Sequence, residues 1–255
     1  MKEKIKNVLW PLCFGILIIT IWQLGFIHDA LGFKSFQLPI PSQIISTLHD
    51  NFAKTLSDTL VTVSGALVGL ILGCTIGFIV AVIATQFPKW GYTGLSVMAA
   101  FNAIPIVALS PIMNRWFSEG FSQKVGVVTV VCMAAMAINA YRGLNDLKPF
   151  AKDLLDSYAA PQRVIFLKLR LPNCIPSVLT ALKINVASAI MAAMISEYFA
   201  ASTSGIGFGV KDNLRKGMMA KGWSYIVMAA LVGIILYLLV TLVERRAIKW
   251  HISQR

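Results

Sequence analysis

Residues 59–88 read TLVTVSGALVGLILGCTIGFIVAVIATQFP, an uninterrupted run without a charged side chain. A helix that spans a bilayer needs about 20 mostly apolar residues, so this run predicts a membrane span. Small residues recur at every fourth position of the run, at Gly65, Gly69, Gly73 and Gly77. Such spacing is typical of a helix face that packs closely against another helix, with a flexible gating helix as the alternative.

Five further stretches are long and apolar enough to cross a bilayer, at residues 7–27, 90–114, 125–141, 176–198 and 222–243. The first is predicted to be a retained anchor, because it is too long for the core of a signal peptide. The stretch at 90–114 contains Pro105 and Pro111, and each proline predicts a bend. Residues 43–52, capped by Ser42, are predicted to form a surface helix. The chain is therefore predicted to be one all-α membrane domain over residues 1–255, with core spans at about 59–243.

The charge distribution agrees with a membrane protein. Charged residues make up 13% of the chain, about half the usual share in soluble domains. The 23 Lys and Arg residues lie mostly at the ends of apolar stretches, where they meet membrane lipid, so nucleic-acid binding is not expected. With the N-terminus inside, fourteen of them fall on the inner side and eight on the outer side. This bias predicts that both termini are cytoplasmic.

The four cysteines are widely separated, and three of them lie in apolar stretches. No C-x-x-C pair is present, and none of the three histidines lies near a cysteine in sequence. We therefore predict buried, free cysteines, with no metal site and no disulfide: Cys13, Cys74, Cys132 and Cys174.

A polar segment separates two of the predicted spans. Residues 153–172 read DLLDSYAAPQRVIFLKLRLP, within a loop at 146–172. The pattern predicts one short helix that Pro161 ends, and a second helix that ends at Leu171-Pro172. Leu154, Leu155 and Tyr158 form an apolar tip, which could fill a groove in a partner protein. The alternative is a helix that lies on lipid headgroups.

This segment resembles the EAA loop of binding-protein-dependent ABC importer permeases, E-A-A-x3-G-x9-I-x-L-P. Residues 153–155 stand at E-A-A, Ala159 at the glycine and residues 171–172 at leucine-proline. Other motifs are similar, in the same order, to the nitrate/sulfonate/taurine branch of that family. They are LPIPSQ at 38–43, NAIPIVALSP at 102–111, NAYRGL at 139–144, SGIG at 204–207 after Glu197, and ERR at 244–246.

The resemblance implies the type I importer permease fold, with six transmembrane helices and a cytoplasmic coupling helix-turn-helix between spans 4 and 5. It implies a subunit of a bacterial inner-membrane importer, with a second permease copy, two ABC ATPase subunits and an extracytoplasmic binding protein as partners. The resemblance implies a transporter subunit rather than an enzyme. The chain has no G-x4-G-K-[ST] motif, so ATP and Mg would bind the ATPase. The residues expected to couple to the ATPase are Asp153, Leu154, Leu155, Tyr158, Ala159, Ala160, Pro161, Leu171 and Pro172.

Polar or helix-breaking residues within spans are candidates for the solute pathway. They are Asn102, Pro105, Ser110, Asn139, Asn185, Ser188, Met191 and Glu197. Glu197 could instead contact a basic residue of an outer loop, and Asn139 could join two helices. A secondary transporter, a channel and a membrane enzyme are less favoured, because no acid is centred in a span and no histidines converge there. Taurine, alkanesulfonates, nitrate, riboflavin and pyrimidine precursors all remain open as substrates, and the apolar, Met-rich spans favour an organic molecule.

Overall fold

The computed structural model describes residues 2–34, 36–118, 120–200 and 202–248, without the side chains of residues 2–8, 90 and 92. The predicted inner-side residues Lys249 and Arg255 lie outside these ranges. Over the described residues the fold is entirely helical. The helices are α1 (Lys2–Gln23), α2 (Phe26–Leu31), α3 (Pro41–Asp50), α4 (Phe52–Gln86), α5 (Pro88–Asn102), α6 (Ile106–Phe117), α7 (Phe121–Asn145), α8 (Ala151–Ser157), α9 (Gln162–Ile165), α10 (Leu171–Phe199), α11 (Ile206–Arg215) and α12 (Met219–Ala247).

Four helical stretches are long and apolar enough to cross a membrane: α4, α7, the continuous stretch Gln162–Phe199, and α12. A fifth candidate is the pair formed by α5 and α6. The predicted anchor at 7–27 is shorter than expected, because α1 ends at Gln23 and Gly25 turns the chain with a φ of +85°. Its apolar part, Leu9–Gln23, is shorter than the about 20 residues that a span needs.

The predicted span at 90–114 is broken rather than bent. Its two halves meet at an angle of 100°. Pro105 has an extended backbone and caps α6, because proline lacks the N–H that a continuing helix would use and disfavours helical geometry at Ile104. Pro111, by contrast, lies inside α6 without interrupting it.

The glycine stripe of α4 lies against α7. A Cβ atom at Gly69 would stand 2.6 Å from Val128 Cβ, and one at Gly73 would stand 2.6 Å from the Thr129 carbonyl oxygen. Gly65 and Gly77 face α7 in the same way. The stripe therefore brings the α4 and α7 backbones together, as small-residue stripes do in membrane helices.

A left-handed alanine ends α8. Ala159 has a φ of +50°, its N–H donates to the Asp156 carbonyl (2.9 Å), and the Ala160 N–H donates to the Leu155 carbonyl (3.1 Å). These two bonds are the Schellman pattern, in which glycine usually occupies the left-handed position. The prediction that Pro161 ends this helix is therefore wrong. The same geometry gives a reason for the glycine that the EAA pattern has at this position.

The second helix of the loop does not end at Leu171-Pro172, as the sequence predicted. Residues Phe166–Arg170 form a π-helical turn, in which the Leu171 N–H donates to the Phe166 carbonyl five residues earlier. This wider turn leads directly into α10, where Pro172 is the second residue. The loop is thus joined to a membrane-spanning helix without a break.

The predicted surface helix is present, but Ser42 does not cap it. The helix α3 begins at Pro41 after Ile40, and the Ser42 N–H instead donates to Gln23 Oε1 (3.0 Å). This bond ties α3 to the end of α1, and the Trp22 ring of α1 also contacts the Trp223 ring of α12, with centroids 5.6 Å apart. Cys13 in α1 is exposed, contrary to expectation, whereas Cys132 and Cys174 are buried.

Candidate functional site

The long helices define two ends of the bundle. We call the loop end the one where α4 and α7 finish and α10 begins, next to residues 146–172. We call the Glu197 end the one where α4, α7 and α12 begin and α10 finishes. Functional candidates lie at both ends, so each end is described separately.

At the loop end, three exposed apolar side chains lie in α8 or directly beside its two ends. Phe150, Leu154 and Tyr158 are 80%, 58% and 76% exposed, and we call them the loop stripe. The helix α8 packs little against any other helix of the chain. Leu155, which was predicted to belong to the tip, is half-buried instead, and Phe150 was missed because it precedes the quoted segment. Several exposed apolar side chains on one short segment are typical of a surface that binds a partner.

Hydrogen bonds fix the base of this loop to three long helices. Arg170 donates to the Leu144 carbonyl (3.1 Å) and to Asn145 Oδ1 (2.6 Å), at the end of α7. Asn173 donates to the carbonyls of Gly143 (2.8 Å) and of Asp146 (2.9 Å). Asn145 also donates to Thr85 Oγ1 of α4 at 3.0 Å. These bonds join the base of the loop to α4, α7 and α10.

The other predicted coupling residues surround this stripe. Asp153, Ala159 and Pro161 are exposed, and Ala160 is half-buried between the two loop helices. Leu171 and Pro172 are half-buried in the first turn of α10. The structure thus brings the predicted residues into one loop, with two of them already inside a span.

At the Glu197 end, a buried ion pair joins α7 to α10. Lys124 Nζ lies 2.5 Å from Glu197 Oε1, and the two side chains are only 4% and 1% exposed. Lys124 also donates to the Val61 carbonyl (2.8 Å). Glu197 accepts further hydrogen bonds from Thr62 Oγ1 (2.9 Å) and from the Gly207 N–H (2.9 Å). A buried pair needs such additional partners, because desolvation alone would cost several kcal/mol per charge.

A second buried carboxylate extends the network to α12. Asp58 Oδ2 accepts a hydrogen bond from the Tyr225 hydroxyl (2.7 Å), and Asp58 Oδ1 lies 3.0 Å from Lys54 Nζ. The Thr62 hydroxyl accepts from the Ile206 N–H at 2.8 Å. Backbone N–H groups at the start of α11 therefore reach carboxylate and hydroxyl groups of α4 and α10. We call residues Asp58, Thr62, Lys124, Glu197 and Tyr225 the buried polar network.

Sequence reasoning found only Glu197 of this network, although it allowed for a basic partner from an outer loop. Asp58 and Lys124 were missed because each predicted span was taken to begin just after a charged residue. Each of the two residues therefore lies one position before a predicted span. Burying an unpaired acid in a span is costly, so Glu197 in a span indicates a cation at the same membrane depth. Lys124 is the cation that meets this demand.

The remaining pathway candidates fall into two groups. Ser110, Asn185 and Glu197 are buried and join helices, as when Asn185 donates to the Cys132 carbonyl (2.9 Å). Asn139 is half-buried and donates to Ala135 of its own helix at 2.8 Å. The group at the surface of this chain comprises Asn102 and Pro105 at the break between α5 and α6, with Met191 and the half-buried Ser188 on α10.

Gly205 is predicted to be one of the least replaceable residues at the Glu197 end. Its φ is +105°, and an added Cβ atom would collide with the Glu197 carboxylate. We expect Gly205→Ala to lower the free energy of unfolding by about 2–3 kcal/mol, through left-handed backbone strain and loss of carboxylate hydrogen bonds. Thermal unfolding in detergent measures this.

Gly120 provides the matched control for this substitution. It also precedes a helix, has a φ of +102°, and has no neighbour that an added Cβ would meet. Gly120→Ala should therefore show the backbone strain alone, about 1 kcal/mol. Equal losses for the two variants would contradict the collision with Glu197.

Known transport permease proteins are similar in sequence to this chain. The chain is 25% identical over 99% of its length to the whole of the formylaminopyrimidine transport permease protein ThiX of Halalkalibacterium halodurans. It is 26% identical to the riboflavin transport system permease protein RibX of Chloroflexus aurantiacus, with 98% of this chain and 95% of that protein covered. The putative aliphatic sulfonates transport permease protein SsuC of Bacillus subtilis is 23% identical, with coverages of 97% and 88%.

Solved structures show the same fold at lower identity. A bacterial alginate ABC transporter in complex with its periplasmic protein matches with a TM-score of 0.64 at 12% identity, over 96% of this chain and 97% of that chain. The MetNI methionine ABC transporter matches with a TM-score of 0.60 at 16% identity, over 82% and 98%. The family model for the binding-protein-dependent transport system inner membrane component matches residues 69–249. The chain therefore belongs to that family, the permease subunits of ABC importers.

Proposed function

We propose that this permease forms half of a solute pathway and is driven through residues 146–172 by a separate ATPase. The observation that carries the proposal is the loop stripe, three exposed apolar side chains in and beside α8, a helix that packs little against the other helices. Apolar surface of this kind is stabilised when a partner covers it. The polar contacts between the base of the loop, α4 and α7 would then transmit movement into the membrane.

The helix directions support six spans. From α4 onward, successive long helices run in opposite directions between the two ends. The α5–α6 pair starts at the loop end, where Gly91 lies against Ala84 of α4, and reaches the Glu197 end, where Ser110 donates to the Ser196 carbonyl of α10. Although its apolar part, Leu9–Gln23, is short, α1 is proposed as the sixth crossing, because its Gln23 end is tied to α3 near the start of α4. Six crossings put both termini on the side of the loop, and the basic residues favour the cytoplasm for that side.

The assembly follows from what one chain lacks. It contains no phosphate-binding motif for ATP, so ATP and Mg belong on two partner ATPase subunits. A second copy of the permease completes the pathway as a homodimer, and an extracytoplasmic binding protein delivers the solute at the Glu197 end. The exposed Asn102, Pro105 and Met191 and the half-buried Ser188, on α10 and at the break between α5 and α6, are suited to line this pathway.

The substrate class follows from relatives and from the exposed face of α10. The relatives are named for formylaminopyrimidine, riboflavin, aliphatic sulfonates, taurine and nitrate. Ile184 and Met191 are 51% and 52% exposed on α10, so this face offers apolar contacts. Apolar contacts favour a small organic solute over nitrate, which is bound by hydrogen bonds and charge.

The membrane side of the loop tests this proposal without knowledge of the substrate. Cys13 is the exposed cysteine among the four and is first replaced by alanine, giving a background with little reactive thiol. Exposed residues at opposite ends then become reporters, Ser157→Cys in the loop and Thr203→Cys at the Glu197 end. We expect a membrane-impermeant maleimide to label Thr203→Cys in spheroplasts, and to label Ser157→Cys only in inside-out vesicles. Labelling of Ser157→Cys in intact spheroplasts would refute the cytoplasmic position of the loop.

A further inference from the structure

A basic cavity of about 650 Å³ lies at the loop end, between the end of α4 and the two helices of the loop. Lys152, Arg163 and Arg170 contribute to its wall, together with Gln162 and Thr85. No acidic side chain is among the described residues that line it. Three cations around one cavity without a lining carboxylate form a site for a negatively charged group.

Two of these cations differ in how they are held. Arg170 is fixed by the Leu144 carbonyl and by Asn145 Oδ1, both through one terminal nitrogen, so its other donors stay available. Arg163 is exposed, and its guanidinium makes no hydrogen bond or ion pair with the part of the chain that the structure describes. Lys152 is shared with Asp156, 3.1 Å away. The cavity therefore offers one positioned and one free guanidinium, groups whose planar donors match phosphate oxygens.

The surroundings indicate an amphiphilic ligand rather than a small free anion. Phe166 and the half-exposed Leu167 line the same cavity. Phe87, next to two lining residues of the α4–α5 turn, is 61% exposed, and Ile83 one turn earlier is 53% exposed. An anionic headgroup could occupy the basic wall while acyl chains cover these apolar side chains. The volume also exceeds what one carboxylate of a protein partner would fill.

We propose that this cavity binds the phosphate of an anionic phospholipid headgroup, with Arg163 and Arg170 as its main donors. Basic pockets between membrane helices near the interface recognise such headgroups. The bound lipid would lie against α8, α9 and the end of α4, and so would stabilise the loop whose stripe is proposed to meet the ATPase. The inference itself needs only the cavity and does not depend on that coupling.

The test measures lipid binding to the purified full chain in detergent by native mass spectrometry. Phosphatidylglycerol should bind about five-fold or more tightly than phosphatidylcholine, and Arg163→Gln should remove about five-fold of the phosphatidylglycerol affinity. Lys168→Gln is the matched control, because Lys168 is equally exposed in the same loop but does not line the cavity. This control should bind like the unsubstituted chain. Since both side chains are exposed, neither substitution should change the thermal midpoint without lipid.

Three outcomes would overturn the proposal. The first is equal loss of phosphatidylglycerol binding in Arg163→Gln and Lys168→Gln, which would show only a diffuse effect of charge. The second is binding of inorganic phosphate as tight as that of phosphatidylglycerol, with displacement of the lipid by phosphate at millimolar concentration. This result would identify free phosphate as the ligand. The third is unchanged lipid binding in Arg163→Gln together with reduced recovery of the ATPase, which would assign this surface to a protein partner.

Discussion

Glu197→Gln should lower the free energy of unfolding by about 3–5 kcal/mol, because it leaves the Lys124 ammonium buried without a counter-charge. Only 4% of that lysine side chain is exposed, so water cannot replace the lost carboxylate. The Val61 carbonyl would remain as an acceptor, but it carries no full charge. Lys124→Met should be comparably destabilising, since it leaves the Glu197 carboxylate with only neutral donors, from Thr62 and Gly207.

The double variant Lys124→Met/Glu197→Gln separates loss of the ion pair from loss of packing. Because both charges of the pair are removed, neither is left buried without its partner. The double variant should therefore be more stable than the sum of the two single losses predicts, by 1 kcal/mol or more. Thermal and denaturant unfolding in detergent measure all three variants. Strictly additive losses, or an unaffected Glu197→Gln, would show that the two charges are not coupled.

A second ion pair of the same chain is the control. Lys183 and Glu244 join α10 to α12 at a distance of 2.8 Å, with side chains that are 21% and 16% exposed. Partial exposure allows water to compensate for a missing partner, so Glu244→Gln should cost clearly less than Glu197→Gln. A loss as large as that of Glu197→Gln would mean that burial does not explain the difference.

The sequence predicted the membrane class, the long helices and the loop because each of these is a local property. Apolar runs identify spans by length alone, and the stripe from Gly65 to Gly77 indicates a packing face by its spacing. The spacing of the stripe does not predict which helix packs against it. That α7 is the partner depends on which helices the whole bundle brings together.

The errors in the predicted loop share one physical origin, the meaning assigned to proline. Pro161 and Pro172 were taken as helix ends, whereas a left-handed alanine ends α8 and a π turn carries α9 into α10. A π turn depends on how neighbouring helices constrain the backbone, so no residue type signals it. At Pro105 the sequence predicted only a bend, whereas the two halves of the span meet at an angle of 100°.

The buried polar network is non-local throughout. Asp58, Lys124, Glu197 and Tyr225 come from four different helices, and each looks like an interfacial residue when its own stretch is considered alone. Only the requirement that a buried acid has a cation nearby connects them. The network joins the ends of α4, α7, α10, α11 and α12, so the Glu197 end should move as one unit.

The loop stripe is where the largest functional effect is expected. Leu154→Arg places a charge in the middle of the stripe, at a side chain that is 58% exposed in this chain. The fold should tolerate the change, because the residue contributes little to the core. An ATPase that covers the stripe would instead have to bury an unpaired guanidinium, which is strongly unfavourable. Solute uptake should therefore be abolished while membrane insertion is unaffected.

Ile45→Arg is the matched control, since Ile45 is 66% exposed on α3, at the opposite end of the bundle. It introduces the same charge at an equally exposed apolar position. A general effect of arginine on expression or insertion would reduce both variants alike.

Recovery of the cognate ATPase with the purified permease tests the central claim most directly. Leu154→Arg should reduce the recovered ATPase about ten-fold or more, at unchanged permease yield, while Ile45→Arg recovers the ATPase normally. Normal ATPase recovery with Leu154→Arg would contradict the claim that residues 146–172 couple this permease to its energy source.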